Sequence, residues 1–271
     1  MIAALCGVFW LDWWLEQGVR WHVVGLPMAV VLLVLILIAM IEMFVLCAIV
    51  KVLILLFSGL LGAALLGSLP FWWQFLSPIP PSGEHVLLIL AVIMLVVFAD
   101  QMMRSRTADA IRAIACTFLA VLYLGVGGAM MLGIRVRSGV PVFVLFLGAV
   151  KFTDIGAYFV GSRIGRHKMV PWLSPHKSWE GLVGGLAAAA GISMLLTAVL
   201  RLPLTLPNAA VFGAVVGLFG QFADLCESLL KRSANVKDSG WIVLGSGGVL
   251  DLLDSPLLAA PVGYMMLGIL R

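Results

Sequence analysis

The sequence predicts an all-α polytopic integral membrane protein, about nine transmembrane helices enclosing a polar cavity on the cytoplasmic side. Three observations predict it. The 271 residues are 63% hydrophobic and 11% charged, with a mean hydropathy of +1.15, where a soluble domain is about half apolar and about a quarter charged. The apolar residues form nearly unbroken runs, such as Met28 to Ile41 and Leu182 to Leu200, which exceed strand length and recur along the whole chain. These runs do not alternate with polar residues at period two, as the strands of a membrane barrel do.

A spanning helix needs roughly 20 mainly apolar residues. Suitable runs lie near 2–17, 23–47, 50–69, 86–103, 112–133, 140–162, 181–200, 208–227 and 251–270. The first is short and carries Asp12 and Glu16, but it lacks the basic start and small-residue cleavage site of a signal peptide, so it is read as a helix. Trp10, Trp13, Trp14, Trp21, Trp72 and Trp73 stand where interfacial aromatic anchors are expected. Glu42, near the expected cytoplasmic end of the second run, is open to a structural or a site role.

Alternating the runs across a bilayer gathers most of the bases on one side: Lys51, then Arg104, Arg106 and Arg112, then Arg163, Arg166, His167, Lys168 and Lys177, then Lys231, Arg232 and Lys237. The other side receives the Pro-rich stretch 70–81 and the turn 201–207, with Arg135 and Arg137 as the main exception. Positive residues favour the cytoplasm. A multi-pass protein of the inner (cytoplasmic) membrane follows, with its N-terminus inside, its C-terminus outside and its site facing the cytoplasm. Cys6, Cys47, Cys116 and Cys226 lie in or near apolar runs without CxxC spacing, so neither disulfide nor zinc is expected.

Residues 1–139 read as a transmembrane scaffold, and 140–271 as a transmembrane catalytic region, because polar residues enter the runs from there on. Gly181, Gly184 and Gly185, then Gly213, Gly217 and Gly220, are small-residue patterns that let helices approach closely and leave a homodimer open. No sequence repeat supports an inverted-repeat transporter.

In the second half, Lys151 and Asp154 stand three apart on one helical face, either neutralising each other or forming part of a metal or substrate site. The loop SPHKSWEG runs from Ser174 to Gly181; Ser174-Pro175 breaks any preceding helix, and Ser178 is placed to begin the next. Such a start, with His176 and Lys177 beside it, suits a phosphate, although a solvated helix start is the plainer alternative. Asp224 and Glu227 share a face with Ser228, Lys231 and Arg232 near; Lys237 and Asp238 supply another pair. Gly245, Ser246, Gly247 and Gly248 can present backbone donors in a turn, beside Asp251 and Asp254. Hard divalent cations take oxygen ligands, often completed by phosphates. The set therefore suggests a magnesium-dependent reaction on a phosphorylated substrate, with neither a Walker nor a Rossmann pattern present.

These residues resemble the phosphatidate cytidylyltransferase (CDP-diacylglycerol synthase) family. Its signature is similar to SxxKRxxxxKDxGxxxPGHGGxxDRxDS, and Ser228, Lys231, Arg232, Lys237, Asp238, Gly240, Gly245, Gly247, Gly248, Asp251, Asp254 and Ser255 fall in register with it. GxxxDxxES from Gly220 to Ser228, DIGAYFVGSRIGRHK and SPHKSWEG also resemble family segments, so the likeness covers about 150–255. Ser246, Leu252, His176 and Leu244 depart from the family's His, Arg, Lys and Pro.

The resemblance implies that CTP and phosphatidate give CDP-diacylglycerol and diphosphate, with Mg2+ as cofactor and membrane lipid as the milieu; no nucleic-acid partner is implied. It implies catalytic roles for Asp224, Lys231, Arg232, Lys237, Asp238, Asp251 and Asp254. Nucleotide or phosphate contacts would fall to Ser174, Lys177, Ser178, Glu180, Gly247 and Gly248. Asp224 and Asp251 are the expected principal metal ligands, joined by Asp154 and Asp254. Rival readings are a CDP-archaeol synthase, a polyprenol kinase, a non-catalytic descendant and a cation-coupled transporter.

Overall fold

The computed structural model of the chain describes residues 7, 11–12, 24–52, 54–77, 81–104, 107, 109–237, 239–240 and 247–270. Asp238, Gly245 and Ser246, and the expected span 2–17 apart from Gly7, Leu11 and Asp12, lie outside the described residues. The chain divides into two compact units, Met1–Val136 with Asp238–Leu252, and Arg137–Lys237 with Leu253–Arg271.

The first unit contains α1 (Leu26–Ile49), α2 (Leu56–Gly67), α3 (Leu69–Leu76), α4 (Gly83–Met103) and α5 (Ala110–Val121), the last running through a π-helical turn, Leu122–Val126. Gly25 precedes α1 at φ 79, a backbone that a residue with a Cβ rarely adopts. Pro70 opens α3, where its missing N–H costs nothing in the new helix but ends the ladder of the old one. Accordingly α2 and α3 meet at a bend of 57°. At its other end α2 starts beside two polar side chains. Leu55 N donates to Thr117 Oγ1 of α5 at 2.9 Å, and Ser58 N to Asp100 Oδ2 of α4 at 3.3 Å, so orphan amides of the first turn find acceptors. Small residues let the neighbours close around α2: a Cβ on Gly62 would lie 2.9 Å from Ile93 and 3.2 Å from Val121. Ile36, Met40, Leu66, Val121 and Leu124 are all buried here. So is an ion pair, with Arg135 Nε 2.5 Å from Asp12 Oδ2.

Continuing from the π turn, α6 (Gly127–Ile164) carries the chain into the second unit, which adds strands β1 (Lys168–Val170) and β2 (Ser174–Ser178), then α7 (Trp179–Leu200), α8 (Leu206–Ser233) and the body of α9 (Val249–Leu270). β1 and β2 pair antiparallel, Lys168 facing Ser178 and Val170 facing Ser174. Among the described residues this short hairpin is an addition to an otherwise all-α architecture, and Pro175 favours extended backbone just before it. Within the unit the helices meet almost backbone to backbone. A Cβ on Gly156 would lie 2.8 Å from the Gly184 carbonyl, and one on Gly185 would lie 2.7 Å from the Thr153 carbonyl. Backbone cannot step aside as a flexible side chain can, so Gly185→Val is expected to lower stability by about 1–3 kcal/mol. An unchanged unfolding midpoint in detergent would show the contact to be looser.

Among the described residues, six helical segments are long and apolar enough to cross a membrane, or seven if the bent α2–α3 pair is one span. The expected count was about nine. Two expected spans, 112–133 and 140–162, fall in one 55-residue run from Ala110 to Ile164. That run is not one straight helix. At about 1.5 Å per residue it would measure roughly 80 Å against a hydrocarbon core of about 30 Å, and its backbone leaves helical geometry at Gly139, φ 81.

Candidate active site

The hairpin and helices α6, α7, α8 and α9 of the second unit bring charge together. Ser178 caps α7, its hydroxyl accepting from Gly181 N at 3.1 Å. Glu180, one residue into α7, accepts from the amides of Arg166 and His167 at 3.2 Å and bonds the His167 ring at 2.5 Å. The hairpin is thereby clamped to the helix start, which fixes the direction of Lys177. Lys177 Nζ lies 2.7 Å from Asp224 Oδ2 and donates to the Gln221 carbonyl at 3.0 Å. On α8, Gln221 Nε2 donates to Asp154 Oδ1 of α6 at 2.8 Å. Asp154, Ser174, Lys177, Ser178, Gln221 and Asp224 are among the residues lining a cavity of about 300 Å³.

One helical turn after Asp224, Glu227 is almost wholly buried and pairs with Lys231 at 2.6 Å. Its carboxylate, that of Asp224 and that of Asp254 on α9 offer oxygens within 4.8 Å of one another. Three such carboxylates are costly together without positive charge among them. Lysines 177 and 231 supply part of it. All-oxygen donors in this number fit a hard divalent cation better than a soft one. Asp254 Oδ1 also accepts from Ser255 N, whose side chain is buried beside it.

The structure thus gathers Asp224 and Asp254 with Glu227, and sets Asp154, Ser174, Lys177 and Ser178 around the adjoining cavity. Glu180 serves the hairpin. Lys231 faces Glu227, whereas Arg232 and Lys237 are exposed, Arg232 donating to the Val236 carbonyl at 3.2 Å. In the first unit, Asp251 accepts from Ser239 N at 3.1 Å and from Gly248 N at 2.7 Å, and Gly247 adopts φ 88. The sequence reading missed the part played by Gln221, a neutral residue whose two ends join Asp154 to Lys177; only its place one turn before Asp224 pointed to it.

The model of the "Cytidylyltransferase family" matches residues 10–270. The chain belongs to the cytidylyltransferase family. Among its relatives, the "Phosphatidate cytidylyltransferase" of Bacillus subtilis (strain 168) is 33% identical over 220 residues, which cover 78% of each chain. The proteins of the same name from Staphylococcus saprophyticus and Staphylococcus aureus (strain COL) are 35% and 34% identical over 154 residues. Those matches cover 56% of this chain and 58% of the staphylococcal proteins. For a cytidylyltransferase-family chain, the acids and lysines around the cavity are of the types that nucleotide phosphates and their counter-cations require.

Proposed function

We propose that this family member is a phosphatidate cytidylyltransferase, converting CTP and phosphatidate into CDP-diacylglycerol and diphosphate in phospholipid synthesis. The observation that carries the reading is the convergence of Asp224, Glu227 and Asp254 beside Lys177 and the 300 Å³ cavity, within a chain whose relatives carry that name. A phosphate oxygen of the lipid attacks the α-phosphorus of CTP. The bond to the β-phosphate oxygen breaks on the opposite side, and diphosphate leaves with the electron pair. Because the attacking phosphate is already ionised near neutral pH, the site needs positive charge and alignment more than a general base.

Asp224 and Asp254, with Glu227, are the proposed holders of Mg2+, which when bound would offset the negative charge of the phosphates. Asp154 supports them through Gln221. Asp251 holds the backbone of Ser239 and Gly248. Lys177 binds phosphate at the cavity wall. Lys231 neutralises Glu227 in the same rim, with Arg232, Lys237 and Asp238 completing the charged segment. In this proposal the mouth faces the cytoplasm of a bacterial inner membrane, a reading supported by the distribution of bases along the sequence, and the lipid tails stay in the bilayer while the headgroup enters the cavity. A homodimer through the Gly-rich helices belongs to the same proposal.

The test is mass spectrometry of the products from purified protein, phosphatidate, labelled CTP and magnesium. CDP-diacylglycerol with diphosphate is expected. CDP with a phosphorylated lipid would make it a kinase, and no product across several lipid acceptors from folded protein would overturn the reaction.

A further inference from the structure

Glu42 lies on α1 and is 4% exposed, yet its carboxylate accepts from residues about 200 positions away in sequence. One carboxylate oxygen accepts from Val249 N at 3.0 Å, and the other from Leu250 N at 2.7 Å and Ser239 Oγ at 3.5 Å. Val249 and Leu250 are the first residues of α9. Their amides have no partner within their own helix, so a side chain must supply one. In most helices the acceptor stands next to the helix in sequence; here a distant scaffold helix provides it. Asp251, in the same first turn, reaches back to Gly248 N and Ser239 N, so two carboxylates take up the successive amides of Gly248, Val249 and Leu250.

The glycines of the loop fit this seat. A Cβ on Gly240 would strike Glu42, whose atoms are its three nearest neighbours, and one on Gly248 would lie 2.6 Å from Glu42 Oε2. Neither Gly240 nor Gly248 has a positive φ. Their smallness is explained by what lies against them, the Glu42 carboxylate at both and the Ser239 hydroxyl at Gly248.

We propose that Glu42 is a positioning residue for nucleotidyl transfer, seating Ser239, Gly240 and Gly248 to Leu250 and so setting the start of α9, the helix that carries Asp251 and Asp254. The kinetic part of the proposal rests on the function assigned above; the seating itself does not. In Glu42→Gln the amide NH2 faces backbone donors, and in Glu42→Asp the carboxylate is withdrawn by one methylene while its charge is kept.

The experiment compares hydrogen–deuterium exchange and steady-state kinetics of the purified full chain with its Glu42→Gln, Glu42→Asp and Gly240→Ala variants. Loss of a hydrogen bond to a carboxylate is expected to speed exchange at Val249 and Leu250 by about tenfold to a hundredfold, with the other helices unchanged. The turnover number should fall about tenfold or more, with the KM for phosphatidate within about twofold, because the loop is displaced while the lipid site is intact. Gly240→Ala should lose turnover, and adding Glu42→Asp should restore part of it by vacating the space. Unchanged exchange at Val249 and Leu250 in both Glu42 variants overturns the seating. Faster exchange with wild-type turnover overturns the catalytic positioning. If Glu42→Gln does not fold, Glu42→Asp decides by the same two readouts. A wild-type protein that makes no CDP-diacylglycerol refutes the assigned reaction instead, and the exchange data then judge the seat alone.

Discussion

Asp254→Asn is expected to lower CDP-diacylglycerol formation by about a hundredfold or more, the loss of a few kcal/mol at about 1.4 kcal/mol per factor of ten, and to do so without weakening the fold. Asp254 is 5% exposed, and its carboxylate shares a region only 4.8 Å across with Asp224 and Glu227. Lys177 pairs with Asp224 and Lys231 with Glu227, while no salt bridge to Asp254 occurs among the described residues. Replacing one of three crowded negative groups by a neutral isostere removes repulsion along with a metal ligand. Activity and stability should therefore move in opposite directions. In chelator the variant's unfolding midpoint should equal or exceed that of wild type, and it should need about tenfold or more magnesium for half-maximal rate. Wild-type rates at wild-type magnesium would remove Asp254 from the metal site; a lower midpoint would show that its charge supports the fold.

Lys177→Met should cost about a hundredfold to a thousandfold in kcat/KM for CTP, the range found when one preorganised donor to a developing charge is removed. The ammonium is held 2.7 Å from Asp224 and 3.0 Å from the Gln221 carbonyl, and only 15% of its side chain is exposed. It is therefore fixed before substrate arrives. Arginine is not expected to rescue it fully, since a planar fork does not reproduce a point charge with three rotatable donors. Separate titrations of CTP and phosphatidate give the test. An effect confined to phosphatidate would assign Lys177 to the lipid headgroup instead.

How much of this was legible in the sequence depended on distance along the chain. The apolar runs foretold helices because burial in lipid demands them, and Ser178 was readable as a helix start because a cap acts on residues only three positions away. The i, i+3 pairing of Asp224 with Glu227 was likewise local. By contrast, nothing in the run around Glu42 announces which amides it will meet, because its partners are separated from it by 197 to 208 residues. Asp251 shows the same limit: spacing proposed it as a metal ligand, while its hydrogen bonds to Ser239 and Gly248 depend on a turn that spacing does not describe. The hairpin escaped because two strands of three and five residues leave too little pattern to read.

The buried pair of Asp12 and Arg135 sets a schedule for biogenesis. The two residues are 123 apart in the chain, so at about 5–20 residues per second the ribosome needs roughly 6–25 s to deliver the second after the first. For that interval Asp12 lacks the guanidinium that accompanies it in the finished protein, a costly state for an acid among apolar segments. The Met1–Val136 part of the first unit therefore gains this pair only when residue 135 arrives, and a nascent chain arrested before that point should be the form most exposed to membrane quality-control proteases.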